Sequence, residues 1–231
     1  MASSPKASPP KRAGDETAAE AAGGAPDPQT DTPAVPRNAA TIVLIRPADE
    51  PGAVSPEVYM VRRSAKSPFM PSTLVFPGGR LDDADGDPAD PATWERAAQR
   101  EYREEAALDL TGETMTWFDT WLTPSMESRR RYLARFFLVA LPAGHGQDAE
   151  ADGWETHEGR WASVDAHLQE WERGEVDLPP PTVCILLQLQ RWADGASSAV
   201  AAVAAVEAAA QTVTPDAAIL PKVGAGRPRR A

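Results

Sequence analysis

Two short segments decide the fold of this chain: Phe76-Pro77-Gly78-Gly79 and, twenty-one residues after the last glycine, Arg100-Glu101-Tyr102-Arg103-Glu104-Glu105. The first ends an apolar run with two glycines, which accept positive φ angles and carry no Cβ to hold a ligand away from the backbone. In the second, helical spacing of about 100° per residue places the three glutamates within an arc of about 100°. Together the segments indicate a site that holds a divalent cation against a phosphate chain.

The glutamate segment has two interpretations. Three like charges on one helix face repel by a few tenths of a kcal/mol per surface pair. A hard cation such as Mg²⁺ reverses that repulsion, and it is commonly shared between carboxylates and substrate phosphates. The alternative is a solvated helix face on which Arg96, Arg100 and Arg103 pair with the glutamates. Because that alternative leaves the preceding strand and glycine turn unexplained, the metal site is favoured.

Length and charge exclude several classes of protein. The 231 residues suit one domain with tails. A net charge of −11 argues against a nucleic-acid partner, although a small phosphorylated ligand remains compatible because a metal ion neutralises charge locally. The single cysteine, Cys184, is expected to be a buried structural thiol and fits a reducing compartment. No apolar run approaches the roughly 20 residues of a membrane span, and no signal-peptide core is visible, so we expect a cytoplasmic protein without membrane association.

Composition predicts one domain between two tails. Residues 1–36 have too few large apolar side chains to offset their ordering entropy and are predicted to be disordered. Residues 37–215 are predicted to form the domain, and residues 216–231 a flexible tail. The order of elements predicts an α/β fold with a mixed sheet that begins with a hairpin. The predicted strands are Ala39–Ile45, Val58–Arg63, Ser72–Phe76, Thr116–Leu122, Tyr132–Leu141 and Gly153–Trp161; the predicted helices are Trp94–Leu108, Ser163–Arg173, Thr182–Trp192 and Ser197–Gln211.

An acidic segment separates the glycine turn from the glutamate helix. Residues 81–91 contain five aspartates and are predicted to form a loop. Thr93 is the expected N-cap of the helix that follows, because its hydroxyl can accept a hydrogen bond from the first helical turn.

These residues resemble the signature of the Nudix hydrolase family, in which a glycine precedes Arg-Glu-aliphatic-x-Glu-Glu-x-Gly-aliphatic at a set distance. The resemblance implies a Nudix-like α/β/α sandwich with a mixed sheet and a strand–loop–helix catalytic motif. It also implies that Glu101, Glu104 and Glu105 bind the catalytic Mg²⁺ or Mn²⁺ and that Arg100 orients them. The matching positions are Gly79, Arg100, Glu101, Glu104, Glu105 and Leu108.

The chain departs from that signature without losing a metal ligand. The distance from the glycine to the arginine is seven residues longer, so the first signature glutamate has no clear counterpart, and Asp85 and Glu95 both stand as candidates. Tyr102 replaces an aliphatic residue. Ala107 replaces the glycine that usually helps to end the helix, so we expect the helix to run on toward Gly112.

Further segments resemble one branch of the family, the coenzyme A diphosphatase-like proteins related to peroxisomal acyl-CoA diphosphatase. That branch tolerates a lengthened loop before the glutamate helix. The C-terminal Arg-Arg-Ala is not a peroxisomal address, so the kinship does not carry a location. The resembling segments, spread over roughly residues 38–190, are Arg63-Ser64, Phe69-Met70-Pro71, 74–82, Trp121-Leu122-Thr123-Pro124, 129–137 and Leu178-Pro179-Pro180-Pro181.

The branch implies hydrolysis of the diphosphate linkage in a nucleoside diphosphate joined to another moiety, with coenzyme A or an acyl-CoA as the preferred substrate. The general base would be a helix glutamate or a later one, Glu155 or Glu158, for which plain surface charge is an equal alternative. Arginines would bind the substrate phosphates, and backbone N–H groups at the glycines would face them; a solvated role is the alternative for each arginine. The candidate substrate-binding residues are Arg62, Arg63, Gly78, Gly79 and the cluster 129–131.

Two other classes of function stay open. One is a catalytically silent Nudix domain that binds a nucleotide or acts as a regulatory module; the retained glutamates argue against it. The other is an unrelated α/β protein whose acidic helix is only solvated. A homodimer is a further option, because the apolar strands and the alanine-rich helix 197–211 would serve a dimer interface as well as a core.

Overall fold

A mixed seven-stranded sheet forms the centre of the domain. The computed structural model describes residues 34–67, 70–124, 131–146, 149, 151, 153 and 156–215. The strands are β1 (Arg37–Pro47), β2 (Pro56–Arg63), β3 (Leu74–Val75), β4 (Gly78–Arg80), β5 (Thr116–Leu122), β6 (Tyr132–Ala140) and β7 (Thr156–Ser163). The main path runs β3-β2-β1-β6-β5, with β4 paired to β1 and β7 paired to β2. Only β1 and β6 are parallel; the other pairs are antiparallel, including the predicted β1–β2 hairpin.

Helices cover both faces of the sheet. Helix α1 (Pro91–Ala106) packs on one face, and α2 (Val164–Arg173), α3 (Pro180–Ala193) and α4 (Ala199–Thr212) pack on the other. Alternation along β1 sends Ile42 and Leu44 toward α1, while Val43 and Ile45 point toward α2–α4. A strand buried on both faces reads as a continuous apolar run, as β1 does. The predicted α/β/α sandwich is therefore confirmed.

The glycine strand occupies a gap beside β1. Along β1, residues Ile45–Pro47 pair with β2, whereas Ala39–Thr41 pair with β4. The sequence predicted only a turn at Gly78 and Gly79, so this assignment is corrected: both glycines belong to a strand. The predicted strand Ser72–Phe76 shrinks to β3, and the acidic loop contains a short 3-10 helix at Asp83–Asp85.

The N-terminus of α1 differs from the prediction. Asp90, not Thr93, is the N-cap, and its carboxylate accepts a hydrogen bond from the Ala92 amide at 3.0 Å. Pro91 takes the first helical position, where its missing N–H costs nothing. Thr93 is buried inside the first turn and donates its hydroxyl proton to the Asp87 carbonyl at 2.7 Å.

The C-terminus of α1 also differs. The expected extension toward Gly112 is wrong, because the helix ends at Ala106. Ala107 adopts the left-handed conformation at φ 55°. An alanine thus fills the cap position that the signature gives to glycine, at a cost of roughly 1 to 2 kcal/mol in backbone strain.

The remaining elements lie within three residues of their predicted bounds. Cys184 is half-buried against the core on the α2–α4 face, rather than fully buried as expected. Except for residues 34–36, the predicted tails lie outside the described residues. In the described part of the chain, no helix has the length and apolar character to cross a membrane.

A cation stack anchors the N-terminal half of α1. The guanidinium carbon of Arg135, on β6, lies 3.9 Å from the ring centre of Trp94 on α1 and 4.1 Å from that of Trp117 on β5. Cation–π attraction stabilises a guanidinium placed over aromatic rings, and it is stronger when the cation is desolvated. The stack therefore ties the helix to the two strands at this edge of the sheet.

A buried histidine lies on the opposite face. His167 on α2 has no exposed surface, and its Nε2 atom lies 3.3 Å from the Val58 carbonyl oxygen. Burial lowers the pKa of His167 from 6.5 to about 4; the Val58 carbonyl and Glu170 oppose this shift, and Arg160 adds to it. The folded protein therefore keeps this imidazole neutral through mildly acid conditions.

Stability should consequently fall as the solution is acidified. The unfolded chain protonates His167 near pH 6.5, whereas the folded chain does so only near pH 4. Between these values the unfolded state binds more protons, and the difference amounts to about 3 kcal/mol once both pKa values are passed. Above pH 6.5 this contribution is constant.

Urea unfolding of wild type and His167→Gln at several pH values between about 4 and 7 measures this contribution. The variant should show a shallower loss of unfolding free energy than wild type over that range. His145→Gln, which changes an exposed histidine, should follow wild type. Parallel pH profiles for wild type and His167→Gln would contradict the prediction.

Candidate active site

Glu105 joins α1 to the glycine strand. Its Oε2 atom accepts a hydrogen bond from the Gly78 amide at 2.9 Å, and the residue is 6% exposed. Gly78 itself has no room for a side chain, because a Cβ would lie 2.5 Å from the Ala40 carbonyl oxygen. At Gly78, therefore, the backbone of β4 contacts the Glu105 side chain of α1 directly, with no β4 side chain in between.

Glu101 lies against the second glycine. A Cβ built on Gly79 would come within 2.5 Å of both carboxylate oxygens of Glu101. Only glycine at this position lets that carboxylate lie directly on the strand backbone. The two glycines thus accommodate two of the three predicted metal ligands, one each.

Arg100 connects the glutamates to the acidic loop. Its Nη1 atom lies 2.8 Å from Glu101 Oε1 and 3.6 Å from Glu104 Oε2. Its Nη2 atom donates to the Arg80 carbonyl at 2.9 Å. The Asp85 carboxylate receives two hydrogen bonds from it, 3.1 Å from Nε and 2.9 Å from Nη2. Hydrogen bonding to Asp85 raises the pKa of Arg100 above its ordinary value, so the guanidinium stays charged.

The structure places Asp85, rather than Glu95, against the signature arginine. Asp85 is buried, and the Asp82 amide donates to its Oδ2 atom at 2.8 Å. Burial by itself would raise the pKa of Asp85, but the hydrogen bonds from Arg100 and Asp82 and the positive charges of Arg100 and Arg96 outweigh it, so the pKa is below 3.8. Glu95 is exposed on α1.

The other two arginines of the helix pair elsewhere. Arg96 lies 3.2 Å from Asp90, and Arg103 lies 3.0 Å from Asp109. Arg100 is the arginine that contacts Glu101 and Glu104. The helix face is therefore not uniformly solvated: Glu101 and Glu105 lie against the glycine strand, and Arg100 pairs with Glu101 and Glu104.

Comparison with known proteins fits this geometry. A family model described as the NUDIX domain matches residues 35–179, more than half of the chain. The chain belongs to the NUDIX family. Hydrolases of this family generally use divalent metal ions.

Relatives of this NUDIX chain are distant in sequence. A Caenorhabditis elegans protein named as a nudix hydrolase, number 7, is 26% identical over 193 residues, which cover 68% of this chain and 62% of that protein. A crystal structure of a NUDIX hydrolase from Alicyclobacillus acidocaldarius has a TM-score of 0.61 at 22% identity, covering 74% of this chain and 96% of that one. The NUDIX domain of Shewanella oneidensis NrtR, solved with ADP ribose, has a TM-score of 0.51 at 16% identity, covering 68% and 88%. The chain thus spans about three fifths of the curated relative, and the two solved structures share its fold.

The glutamates of this NUDIX domain fit a hard divalent cation by their chemistry. Three carboxylates lie on adjacent turns of α1, two of them lie against glycine backbone, and one guanidinium partly balances their charge. Among the described residues, no three acidic, histidine or cysteine side chains already converge as a metal cage. Arg100 holds Glu101 and Glu104, and the Gly78 amide holds Glu105, so the carboxylates are engaged individually.

The predicted substrate and base residues lie on β2 and β7. Arg62 pairs with Glu158 across these strands at 2.9 Å and donates to the Ser72 carbonyl at 3.2 Å. Arg63 is half-buried and donates to the Ser67 hydroxyl at 3.0 Å. Glu155 and residues 129–130 lie outside the described residues. Arg131 donates to the Thr123 and Ala34 carbonyls at 3.1 and 3.0 Å, which is a structural role.

Two tyrosines beneath the glutamates escaped sequence reasoning. Tyr102 was noted only as a departure from the signature, and Tyr59 only as part of a strand. Both are fully buried between α1 and the sheet, with ring centres 6.2 Å apart. Burial, together with Tyr59 and the negative charge of Glu105, raises the pKa of Tyr102 well above 10. Helical spacing could have identified Tyr102 from the sequence, because it places this phenol on the buried side of the helix that carries the glutamates.

The assignment of Asp85 is testable by stability. Asp85→Ala removes the paired carboxylate from Arg100, and we expect a loss of about 2 kcal/mol in the free energy of unfolding, as for hydrogen bonds to charged groups. Glu95→Ala, an exposed change on the same helix, should alter stability by less than about 0.5 kcal/mol. Urea unfolding of both variants measures the difference. Equal losses, or a larger loss in Glu95→Ala, would show that Asp85 does not anchor Arg100.

Proposed function

We propose that this protein is a metal-dependent hydrolase that cleaves the diphosphate linkage of a nucleoside diphosphate joined to another moiety. One observation carries the proposal: Glu101 and Glu105 lie against Gly79 and Gly78, with Arg100 between the glutamates and the acidic loop. Three carboxylates on one helix face, two of them against strand backbone that carries no side chain, would suit a hard divalent cation that is shared with a phosphorylated substrate. Membership in the NUDIX family supports the reaction class.

We assign the cation, Mg²⁺ or Mn²⁺, to Glu101, Glu104 and Glu105. Such an ion, when bound, offsets charge on the phosphates and activates a water. The residues of the chain prepare its site: Asp85 holds Arg100 by two hydrogen bonds, and Arg100 in turn holds Glu101 and Glu104. The Gly78 amide fixes Glu105. These contacts position the glutamates before substrate arrives; on binding the cation, Glu101 and Glu104 exchange Arg100 for the ion, while Glu105 keeps its bond from Gly78.

Among the three helix glutamates, Glu104 is the one most open to an attacking water. Its side chain is 41% exposed, against 15% for Glu101, and its contact with Arg100 is the longer of the two. Glu158 is also exposed, but it would have to leave Arg62 before accepting a proton. Glu155 stays a candidate from its sequence position.

For the substrate, we propose coenzyme A or an acyl-CoA. The support is the resemblance of the flanking segments to the coenzyme A diphosphatase-like branch. ADP ribose bound to the NUDIX domain of NrtR supports the broader class of nucleoside diphosphate derivatives. Arg62 and Arg63 are proposed to bind substrate phosphates. The sequence also proposed the backbone at Gly78 and Gly79 for this role, but the Gly78 amide already donates to Glu105, so the proposal for Gly78 is dropped and Gly79 is kept.

Charge and composition support further proposals about the partners and location of the enzyme. The net charge of −11 supports a small nucleotide rather than a nucleic acid as partner. The single cysteine supports a reducing compartment, and we propose the cytoplasm. A homodimer stays a prediction; α4 packs its buried face, including Val203 and Val206, into the core, which accounts for its apolar residues.

A second candidate, a catalytically silent nucleotide-binding domain, has one observation in its favour. Glu101 and Glu104 are both engaged with Arg100, and the described residues contain no preformed metal cage. A binding module would tolerate this arrangement, whereas an enzyme must exchange the arginine contacts for a cation.

A substrate panel separates the two candidates. Purified protein is incubated with Mg²⁺ or Mn²⁺ and coenzyme A, an acyl-CoA, ADP-ribose, NADH or a dinucleoside polyphosphate, and products are identified by mass. We expect cleavage at a diphosphate linkage, fastest for coenzyme A or acyl-CoA. Binding without any product would favour the silent module, and preference for another panel member would overturn the coenzyme A proposal alone.

Removing one carboxylate charge should abolish turnover without unfolding the protein. Glu104→Gln and Glu105→Gln each keep side-chain volume but lose a charge from the proposed metal site. We expect Mg²⁺-dependent activity on the best panel substrate to fall by at least about 100-fold, since metal positioning contributes several kcal/mol to the barrier.

The matched control is Glu95→Gln, an exposed change on the same helix, which should retain wild-type turnover. Thermal unfolding should show that all three variants are folded. Wild-type-like turnover in Glu104→Gln or in Glu105→Gln would sink the assignment of that residue as a metal ligand.

A further inference from the structure

Tyr102 places a phenol directly beneath the glutamate cluster. It lies on α1 one residue after Glu101 and three before Glu105, and positions three apart on a helix are neighbours on the same face. Both Tyr102 and Glu105 point inward, since Tyr102 has no exposed surface and Glu105 is 6% exposed. The signature has an aliphatic residue at this position, so the Tyr102 hydroxyl is a departure from the signature.

The Tyr102 hydroxyl is buried without a hydrogen-bond partner among the described residues. A buried polar group in this condition costs roughly 1 to 3 kcal/mol, whereas an aliphatic or phenyl side chain would cost nothing of the kind. Native structures contain few such groups, and each calls for a role. Packing alone therefore does not explain the hydroxyl, because a phenyl ring would pack equally well without this cost; a functional role does explain it.

The neighbours of Tyr102 limit where that hydroxyl can act. On the sheet side, the Tyr59 ring lies 6.2 Å from the Tyr102 ring, and Tyr59 in turn packs on Trp161 at 5.5 Å. The Tyr59 hydroxyl fills the place that a Cβ at Gly159 would occupy, which fixes that ring against β7. Apolar residues such as Ala98 and Ala106 surround Tyr102 in the same cluster. Of the glutamates, Glu105 is the one that is buried three positions along the helix from Tyr102, and its negative charge acts on the Tyr102 phenol.

We infer that Tyr102 is a positioning residue for Glu105: its hydroxyl donates to the Glu105 carboxylate when that carboxylate binds a divalent cation. The Gly78 amide already donates to Oε2 of Glu105, and a second donor would fix the orientation of the carboxylate. Donors to a metal-binding carboxylate set its geometry and tune its affinity for the ion. This inference rests on the proposed function, because it takes Glu105 as a metal ligand.

Mn²⁺ binding by Tyr102→Phe tests the inference. The substitution keeps the ring and removes only the hydroxyl. Titration of the full-length protein with Mn²⁺, followed by the loss of the free-ion paramagnetic resonance signal, gives the affinity. We expect Mn²⁺ to bind about tenfold more weakly to Tyr102→Phe than to wild type, as for loss of an outer donor to a metal ligand. In turnover assays, excess Mn²⁺ should restore the wild-type kcat.

Two further measurements separate positioning from packing. Tyr132→Phe makes the same chemical change on β6, and should bind Mn²⁺ as wild type does. Thermal unfolding should place Tyr102→Phe at or above the wild-type midpoint, because the change removes an unsatisfied buried group. Wild-type Mn²⁺ affinity in a folded Tyr102→Phe variant would overturn the inference and leave the proposed function intact. Absence of Mn²⁺ binding by wild type would instead overturn the proposed function, and the inference with it.

Discussion

The guanidinium of Arg100 is the interaction on which the rest of the site depends. It contacts three separate parts of the chain: the Asp85 carboxylate in the acidic loop, the Arg80 carbonyl at the end of the glycine strand, and two glutamates of its own helix. A planar group with five N–H donors can serve all of these at once, which a lysine could not. Because Asp85 is buried beside it, the charge of Arg100 is held in place rather than left to solvent.

The glycine strand gives that arginine something to hold. Pairing of β4 with Ala39–Thr41 of β1 brings Gly78 and Gly79 beneath α1; a Cβ at Gly78 would meet the Ala40 backbone, and a Cβ at Gly79 would displace the Glu101 carboxylate. Near the start of the helix, Arg135 stacks between Trp94 and Trp117, and this stack fixes the N-terminal half of the helix against β5 and β6. The helix is thus held at both halves, and Glu101 and Glu105 come to lie against the glycine strand beside central strand β1, with Arg100 linking them to the acidic loop.

The parts of this arrangement that depend on periodicity were predictable from the sequence. Spacing of Glu101, Glu104 and Glu105 predicted one helix face, and the order of elements predicted a mixed sheet; the α/β/α layering was implied by the family resemblance. The role of Asp85 could not be predicted from the sequence, because it depends on a contact with Arg100, fifteen residues later in the chain. The strand at Gly78–Arg80 carries no β-propensity and forms by pairing with β1.

Local signals failed where two of them competed. Asp90 and Thr93 are both suitable N-caps, and Pro91 decides in favour of Asp90 by taking the first helical position. At the other end, replacement of the signature glycine by Ala107 predicted a longer helix. Ala107 nevertheless adopts the left-handed conformation, and the helix ends at Ala106. Tertiary packing at Ala106 and Leu110, both buried against the sheet, outweighs the strain of that residue.

The most direct test is to locate a metal ion by its own scattering. Crystals of the full-length protein grown with Mn²⁺ would be measured at a wavelength where manganese scatters anomalously. We predict an anomalous peak bounded by the carboxylates of Glu101, Glu104 and Glu105, on the side facing Gly78 and Gly79. A peak elsewhere, or glutamates that still pair with Arg100 at saturating Mn²⁺ with no peak beside them, would contradict the account.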